Sequence, residues 1–332
     1  MNALKKILNV TQTRASDAYT IQNKPISSLD LMENAAQAFV TAFEKQVSAY
    51  KRISVVCGVG NNGGDGLAVC RLLQKKGMDA TAILVQFKAS LSEDCLANKN
   101  RLKAVLVIDD DSNLPDFHDC DIIIDALFGS GLNSSVRGLP AKIIEAINLS
   151  AKTVYSIDVP SGLHCDSLSA SDTIVKSAHV ICFQRPKLSF FFPENSAYIK
   201  SWEVVDIGLD ESFIQAQSAN HYLLDQSVSE LVKSRSRQSH KGTYGHALLM
   251  VGSYGKMGAA VLSAKACLRS GVGLLTCYVP KTGYNIMQIS VPEAMCITDS
   301  NETVLSNIPN IKQFSAIGIG PGIGSEALTV TM

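Results

Sequence analysis

Ile53-Ser-Val-Val-Cys-Gly-Val-Gly-Asn-Asn-Gly-Gly-Asp-Gly66 decides the fold of this chain. A β-branched run, then glycines, then a helix is how α/β proteins present backbone N–H groups to a phosphorylated ligand. Gly58, Gly60 and Gly63 spell G-x-G-x-x-G, with a strand expected over Ile53–Cys57 and a helix over Asp65–Lys76, closed by Gly77. Two adjacent asparagines and Asp65 are unusual inserts in a dinucleotide fingerprint. They point to a loop that also coordinates something.

Outward from this stretch, strand and helix periodicities alternate. Upstream, Leu31, Met32, Ala35, Ala36, Phe39 and Phe43 recur at three- and four-residue steps, which predicts an amphipathic helix after Ser27. Downstream, strands are expected at Ala80–Gln86, Val105–Ile108, Asp121–Ala126, Thr153–Ile157, His179–Phe183 and Trp202–Val205, with helices at Glu93–Lys103 and Leu139–Ile147. Such alternation predicts right-handed crossovers and a three-layer, Rossmann-like α/β fold on a mostly parallel sheet, with ligands at the carboxyl ends of its strands. Around residue 215 the pattern breaks into polar sequence and the basic, serine-rich Lys233-Ser-Arg-Ser-Arg-Gln-Ser-His240. A second α/β pattern then begins, with strand Ala247–Val251, helix Gly258–Arg269, strand Leu274–Val279 and an apolar run at Ala316–Ile319. The expected organisation is a domain over 1–214, an exposed connector over 215–240 and a second domain over 241–332.

Composition narrows the function classes. Lys+Arg and Asp+Glu are equal at 30 each, so no net field draws the chain to nucleic acid or an anionic membrane. The basic stretch lacks the interleaved aromatics of a nucleic-acid site. No apolar run approaches the ~20 residues of a membrane span, and residues 1–14 lack the apolar core of a secretory signal. Nine cysteines without a C-x-x-C pair read as reduced core residues of a cytoplasmic protein. The six histidines have no metal-ligand spacing.

An NAD(P) fingerprint needs an acid at the end of the next strand to hold the ribose. Here Ala80–Gln86 is followed by Phe87 and Lys88, which argues against a dehydrogenase. Asp125 closes one strand and precedes Phe128-Gly-Ser-Gly-Leu-Asn-Ser-Ser135, and Asp158 closes another and precedes Val159-Pro-Ser-Gly162. Each has the same grammar of strand, carboxylate and small residues that let a ligand approach the backbone. Either aspartate alone could cap a helix, but three such loops together point to a site. Asn62, Asp125 and Ser161 offer amide, carboxylate and hydroxyl or carbonyl oxygens to a hard cation, and one formal charge suits a monovalent ion better than Mg²⁺ or Ca²⁺. In the second half, Gly252–Ala260 and Gly318–Gly324 are glycine-rich turns with a candidate nucleotide-binding role.

Several of these stretches resemble a known family. Leu31-Met-Glu-Asn-Ala-Ala36, Asn61–Gly66, Asp125–Leu132, Ser156-Ile-Asp-Val-Pro-Ser-Gly-Leu163 and Val204-Val-Asp-Ile-Gly-Leu209 are similar to the N-terminal epimerase domain of the bifunctional NAD(P)H-hydrate repair enzymes, the YjeF family. His240-Lys-Gly-Thr-Tyr-Gly-His246 through Pro280, and Gly318–Gly324, resemble the start of that family's ribokinase-like, ADP-dependent dehydratase domain. The resemblance implies an isomerase that interconverts the R and S hydrates of NADH and NADPH (NADHX, NADPHX), and a lyase that removes water from the S form.

By motif, it implies substrate contacts from Asn61, Asn62, Gly63, Gly64, Asp65, Gly129, Ser130, Gly131, Leu132, Asn133, Ser134, Ser135 and Asp158, and from Ala259 and Gly322 in the second domain. It implies one K⁺ per epimerase domain on Asn62, Asp125 and Ser161, and ADP with Mg²⁺ for the dehydratase. A cytoplasmic homo-oligomer without membrane or nucleic-acid partners is expected. The family's catalytic Gly-Asp motif and nucleotide-binding segment do not precede Met332, so a truncated second domain that has lost its activity is the expectation. For the epimerase, a carboxylate near the ring suits proton transfer, with Asp158 first and Asp125 as the alternative. A non-catalytic nucleotide-binding module and an NAD(P)-dependent dehydrogenase are the competing functions.

Overall fold

The computed structural model describes residues 4–47, 51–169, 173–231 and 234–331, in two compact units, Met1–Val232 and Lys233–Met332. Lys233, at the head of the basic stretch, lies outside the described residues.

The first unit runs β1 (Lys5–Ile7), α1 (Val10–Asn23), α2 (Ser28–Phe43), β2 (Arg52–Cys57), α3 (Asn61–Lys75), β3 (Asp79–Val85), α4 (Glu93–Asn100), β4 (Leu106–Ile108), β5 (Ile122–Ala126), α5 (Leu139–Leu149), β6 (Thr153–Ile157), β7 (His179–Phe183), β8 (Trp202–Val205), α6 (Glu211–Ala216) and β9 (His221–Leu223). Seven strands form one parallel sheet in the order β4-β3-β2-β5-β6-β7-β8. Apolar residues alternate between its faces with the two-residue period of a strand. Val55, Cys57, Ile122, Ile124 and Ala126 pack with Phe39 and Phe43 of α2 and Leu67 and Leu73 of α3. Val56 and Ile123 point the other way, onto Ile143, Ile144 and Ile147 of α5. A sheet covered on both faces explains why its strands read as continuous apolar runs. The chain leaves β2 toward β3 on one side, while β5 begins the other side. Their exits therefore flank a topological switch point, where a crevice opens.

Helix α3 starts at Asn61, four residues before the expected Asp65, so the glycine-rich segment is its first turns rather than a loop. Close packing is the reason. A Cβ on Gly58 would sit 2.0 Å from Leu127 O, and one on Gly63 would sit 1.8 Å from Gly58 O. One on Gly64 would meet Met32 Sδ at 2.8 Å, and one on Gly66 would meet Ala126 Cβ at 2.5 Å. These glycines let α3 lie directly on the exits of β2 and β5.

The segment before Ser27 is also helical, which the apolar pattern did not reveal. In α1 the buried side chains are Ser16 and Thr20, and it docks through hydroxyls: Asp210 N donates to Thr20 Oγ1 (3.0 Å) and Gln217 Nε2 to Ser16 Oγ (2.8 Å). Residues 215–232, read as connector, belong to the first unit, because β9 pairs antiparallel with β1.

The second unit contains β10 (His246–Met250), α7 (Met257–Arg269), β11 (Leu274–Val279), α8 (Tyr284–Ser290), β12 (Met295–Thr298), β13 (Ala316–Ile319) and α9 (Ala327–Val330). Its parallel sheet has the order β12-β11-β10-β13 and packs Leu275, Cys277 and Val279 against Met257, Ala260 and Ala264 of α7. Its turn glycines 252, 320, 322 and 324 all have positive φ.

Candidate active site

A cavity of about 860 Å³ opens at the carboxyl ends of β2, β5 and β6. Asn61, Asn62 and Asp65 reach it from the first turns of α3, and the whole stretch 129–135 lines it after β5. Asp158 follows β6, while Gln184 and Lys187 follow β7. Asp158 (φ 63°) and Gln184 (φ 58°) both hold the left-handed backbone region, a strain that collects at functional sites and costs about 1–3 kcal/mol each. Gly63 and Gly64, expected to bind substrate, are buried against Gly58 and Met32 and do not line the cavity.

Asn62, Asp125 and Ser161 converge at the cavity wall, Asn62 lining it and the other two behind it. Ser161 donates to both carboxylate oxygens of Asp125, through Oγ to Oδ1 (2.5 Å) and N–H to Oδ2 (2.8 Å). Leu127 N (3.3 Å) and Ser156 Oγ (3.0 Å) complete the set. The Phe128 peptide joins them, its N–H donating to Ser161 Oγ (2.7 Å) and its carbonyl accepting from Asn62 Nδ2 (2.9 Å). Burial pushes the Asp125 carboxyl above its ordinary range, against the pull of these donors. Four donors occupy its oxygens and it does not line the cavity, so proton exchange with a substrate is closed to it. The alternative assignment of Asp125 as proton shuttle therefore falls. No Lys, Arg or His forms an ion pair with it among the described residues. The negative charge of a wholly buried carboxylate without a cationic side-chain partner, beside the Phe128 carbonyl, the Asn62 amide and the Ser161 hydroxyl, is one that a monovalent cation would balance.

Asp158 is held differently. Its Oδ1 takes the Lys187 ammonium (2.8 Å), the Phe183 N–H (3.0 Å) and the Cys182 thiol (3.5 Å). Its Oδ2 has no protein partner among the described residues and is not sealed from solvent. Lys187 is 3% exposed. Burial by itself would depress its ammonium, but the Asp158 carboxylate, with Cys182 and Cys165, raises it well above the ordinary lysine range. Two further carboxyls face the same space. Burial and the Asp158 charge lift Asp17, on α1, to about 6, with Lys187 pulling the other way. Asp65 is raised well above the carboxylate range by burial, then by Asp158, Asp17 and Asp94. Arg14, Lys88 and Arg137 line the cavity as exposed cations that form no ion pair among the described residues.

Sequence reading missed Arg14, Asp17, Gln184 and Lys187. The only signal for α1 was Asn9-x-x-Gln12, which forms a capping box (Gln12 N to Asn9 Oδ1, 2.8 Å; Asn9 N to Gln12 Oε1, 3.0 Å). Asp79 begins β3 rather than ending it, and Gln86, Phe87 and Lys88 follow its carboxyl end. Among the described residues no three or more His, Cys, Asp or Glu group as a metal site, and every described cysteine is a free thiol. In the second unit, Ala259 and Gly322 are brought together, a Cβ on Gly322 lying 3.1 Å from that of Ala259.

Residues 28–189 match the family described as YjeF-related protein N-terminus. That stretch of the first unit is thus similar to the YjeF-related N-terminal domain. Residues 247–331 match the family described as NAD(P)H-hydrate dehydratase, so both halves of the bifunctional arrangement are represented. The expectation of a truncated second domain that has lost its activity is not supported by this match. Similar curated proteins are named bifunctional NAD(P)H-hydrate repair enzyme Nnr. That of Coxiella burnetii is 34% identical over 309 residues, covering 91% of this chain and 62% of its own length. That of Moorella thermoacetica is 30% identical over 327 residues, covering 92% and 62%. The chain thus spans about three-fifths of the length of these relatives. The crystal structure of yeast ynu0 (YNL200c) shares the fold, with a TM-score of 0.51 and 23% identity over 63% of this chain and 91% of that one. No helix among the described residues is long and apolar enough to cross a membrane.

Proposed function

We propose that the first unit epimerises the R and S hydrates of NADH and NADPH, and that the second unit supplies ADP-dependent, Mg²⁺-assisted dehydration of the S hydrate. Asp158 carries the proposal. It is a strand-end carboxylate anchored on one oxygen by a buried ammonium and offering the other to a dinucleotide-sized cavity. The hydrate bears its hydroxyl on the carbon beside the ring nitrogen, whose lone pair can expel it. The cation so formed is stabilised by carboxylates, and the water that adds to its other face needs a base. The Asp158 Oδ2 is placed to serve as that base. The α3 N-terminus at Asn61 and Asn62, with the 129–135 stretch, supplies N–H groups and small side chains for the phosphates.

Asn62, Asp125 and Ser161 would hold K⁺. The bound ion would supply the positive charge that Asp125 lacks and fix the loops after β2 and β5. The reading is of a cytoplasmic homo-oligomer without nucleic-acid or membrane partners; the even charge supports the last of these and the unpaired cysteines the first.

The test is a chiral assay of purified R-NADHX and R-NADPHX with the chain in K⁺ buffer. Conversion to the S form is expected well above the spontaneous rate, and Asp158→Asn should abolish it while NADPH still binds. A rate equal to background with the unmutated chain would sink the proposal.

A further inference from the structure

Three carboxyls and one ammonium, drawn from four separate elements, share the floor of the cavity. Asp17 comes from α1, Asp65 from α3, Asp158 from the end of β6 and Lys187 from the segment after β7. Asp94 of α4 adds a further negative charge, and Arg14, one turn before Asp17 on α1, is exposed and lies over Gly131. One buried cation cannot neutralise this set, so the cluster retains protons that open water would remove. Asp158 is the carboxylate that Lys187 pairs with directly. Asp17 feels both charges, the repulsion of Asp158 and the attraction of Lys187, whereas Asp65 has only carboxylates around it. Asp17 is also only partly buried, so it can exchange its proton with solvent.

We infer that Asp17 and Asp158 are the two ends of a proton relay, holding one proton between them and passing it through the substrate's hydroxyl. The inference rests on the epimerase reading above. Asp17 starts as the acid. It gives its proton to the departing hydroxyl; the C6–O bond breaks with its electron pair on oxygen, and water is released as the ring nitrogen's lone pair forms the C=N bond. Water then adds to the opposite face. A new C6–O bond forms, the C=N pair returns to nitrogen, and the proton lost by that water passes to Asp158 Oδ2. The substrate leaves inverted at C6 and one proton has moved from Asp17 to Asp158. The reverse reaction, or exchange with solvent, returns it. Nothing is oxidised or reduced. Asp65, more deeply desolvated and facing only carboxylates, stays in its acid form.

Rates of R-to-S conversion are measured from pH 5 to 8 for the whole chain, Asp17→Asn and Asp17→Glu, with NADPH affinity measured for each by fluorescence. Removing a positioned acid lowers the rate by about 10²–10⁴-fold, so that loss is expected of Asp17→Asn with NADPH affinity kept within about twofold. In the unmutated chain kcat/KM should fall as pH rises through about 6, where Asp17 loses its proton. Asp17→Glu should recover part of the rate and shift that limb. Asp17→Asn retaining a tenth or more of the rate, or its residual rate keeping the same limb, overturns the relay. An unmutated chain that fails to epimerise defeats the functional reading itself, whereas an active chain with an active Asp17→Asn defeats only the relay. Should Asp17→Asn not fold, the limb in the unmutated chain and its displacement in Asp17→Glu decide the question.

Discussion

The glycine-rich strand exits of the two units look alike in sequence and are built on opposite principles. After β2, glycines 58, 60, 63, 64 and 66 all have φ values open to any residue, and three of them, 58, 63 and 66, are required because a backbone atom or a Cβ occupies the place of their own Cβ. After β10 and β13, glycines 252, 320, 322 and 324 all sit at positive φ, where the need is conformational. The first arrangement sets a helix N-terminus rigidly against a switch point; the second makes sharp turns. The strand-end carboxylates differ in the same spirit. Asp125 is raised by burial, whereas Asp299, just after β12, is brought well below the ordinary range although burial pushes it up. The N–H groups of Ser306 and Asn301 and the hydroxyls of Ser306 and Tyr278 together outweigh that burial. Both carboxylates accept several hydrogen bonds and neither has an ion-pair partner among the described residues; for Asp125 complete burial outweighs its donors, and for Asp299 the donors outweigh burial.

The sharpest way to break the comparison is alanine at each kind of glycine. Gly63→Ala drives a methyl into Gly58 O and should cost about 4 kcal/mol or more, enough to unfold the first unit. Gly322→Ala pays chiefly for its left-handed backbone, about 1–2 kcal/mol. Gly60→Ala, with open space around it, should stay within about 0.5 kcal/mol. Urea unfolding of each variant checks the ranking, and equal effects at Gly63 and Gly60 would erase the distinction.

A second, smaller contrast concerns the two aspartates. Ser161→Ala strips the short hydroxyl bond from Asp125 Oδ1 and should cost about 2 kcal/mol. It should also abolish any gain in melting temperature when K⁺ replaces Na⁺. Ser306→Ala should cost less, because Asp299 keeps the N–H groups of Asn301, Ser306 and Asn307 and the Tyr278 hydroxyl. Melting curves in the two salts would expose an error if the Ser306 variant proved the more ion-sensitive.

One effect has the opposite sign. Asp17 is held at about 6 when folded and near 3.8 when unfolded, so the folded state binds the extra proton between those values. Stability is lost as pH rises through that window, and above it the folded chain carries a disfavoured charge. Asp17→Asn should therefore stabilise the first unit at pH 7 by about 1–2 kcal/mol and leave it unchanged at pH 4. Stabilisation together with loss of turnover is the mark of a functional residue. Destabilisation at pH 7 would mark Asp17 as structural.

Much of this was legible along the chain. β2, β5, β6 and β7 were placed to within a residue, because strands buried on both faces are apolar, β-branched-rich runs, and the half-exposed edge strand β8 was found from Val204-Val205. Asn62, Asp125 and Ser161 were grouped from strand-end grammar, and the structure brings them together around the Phe128 peptide. α1 was invisible because its docking face is Ser16 and Thr20, and hydroxyls leave no apolar period. β1 and β9, three residues each, pair across the length of the unit, and no local signal encodes such a partner.

The sequence by itself determined a parallel α/β sheet, a glycine-lined crevice beside β2 and β5, and the absence of a ribose-binding acid. Those are properties of residue type and spacing. Only the tertiary structure decided that Gly63 and Gly64 are packing residues, that Asp125 is sealed from the cavity, and that Asp17, Asp158 and Lys187 face one another. Contact between elements distant in sequence sets burial and charge environment, and these determine which aspartate can hold a proton.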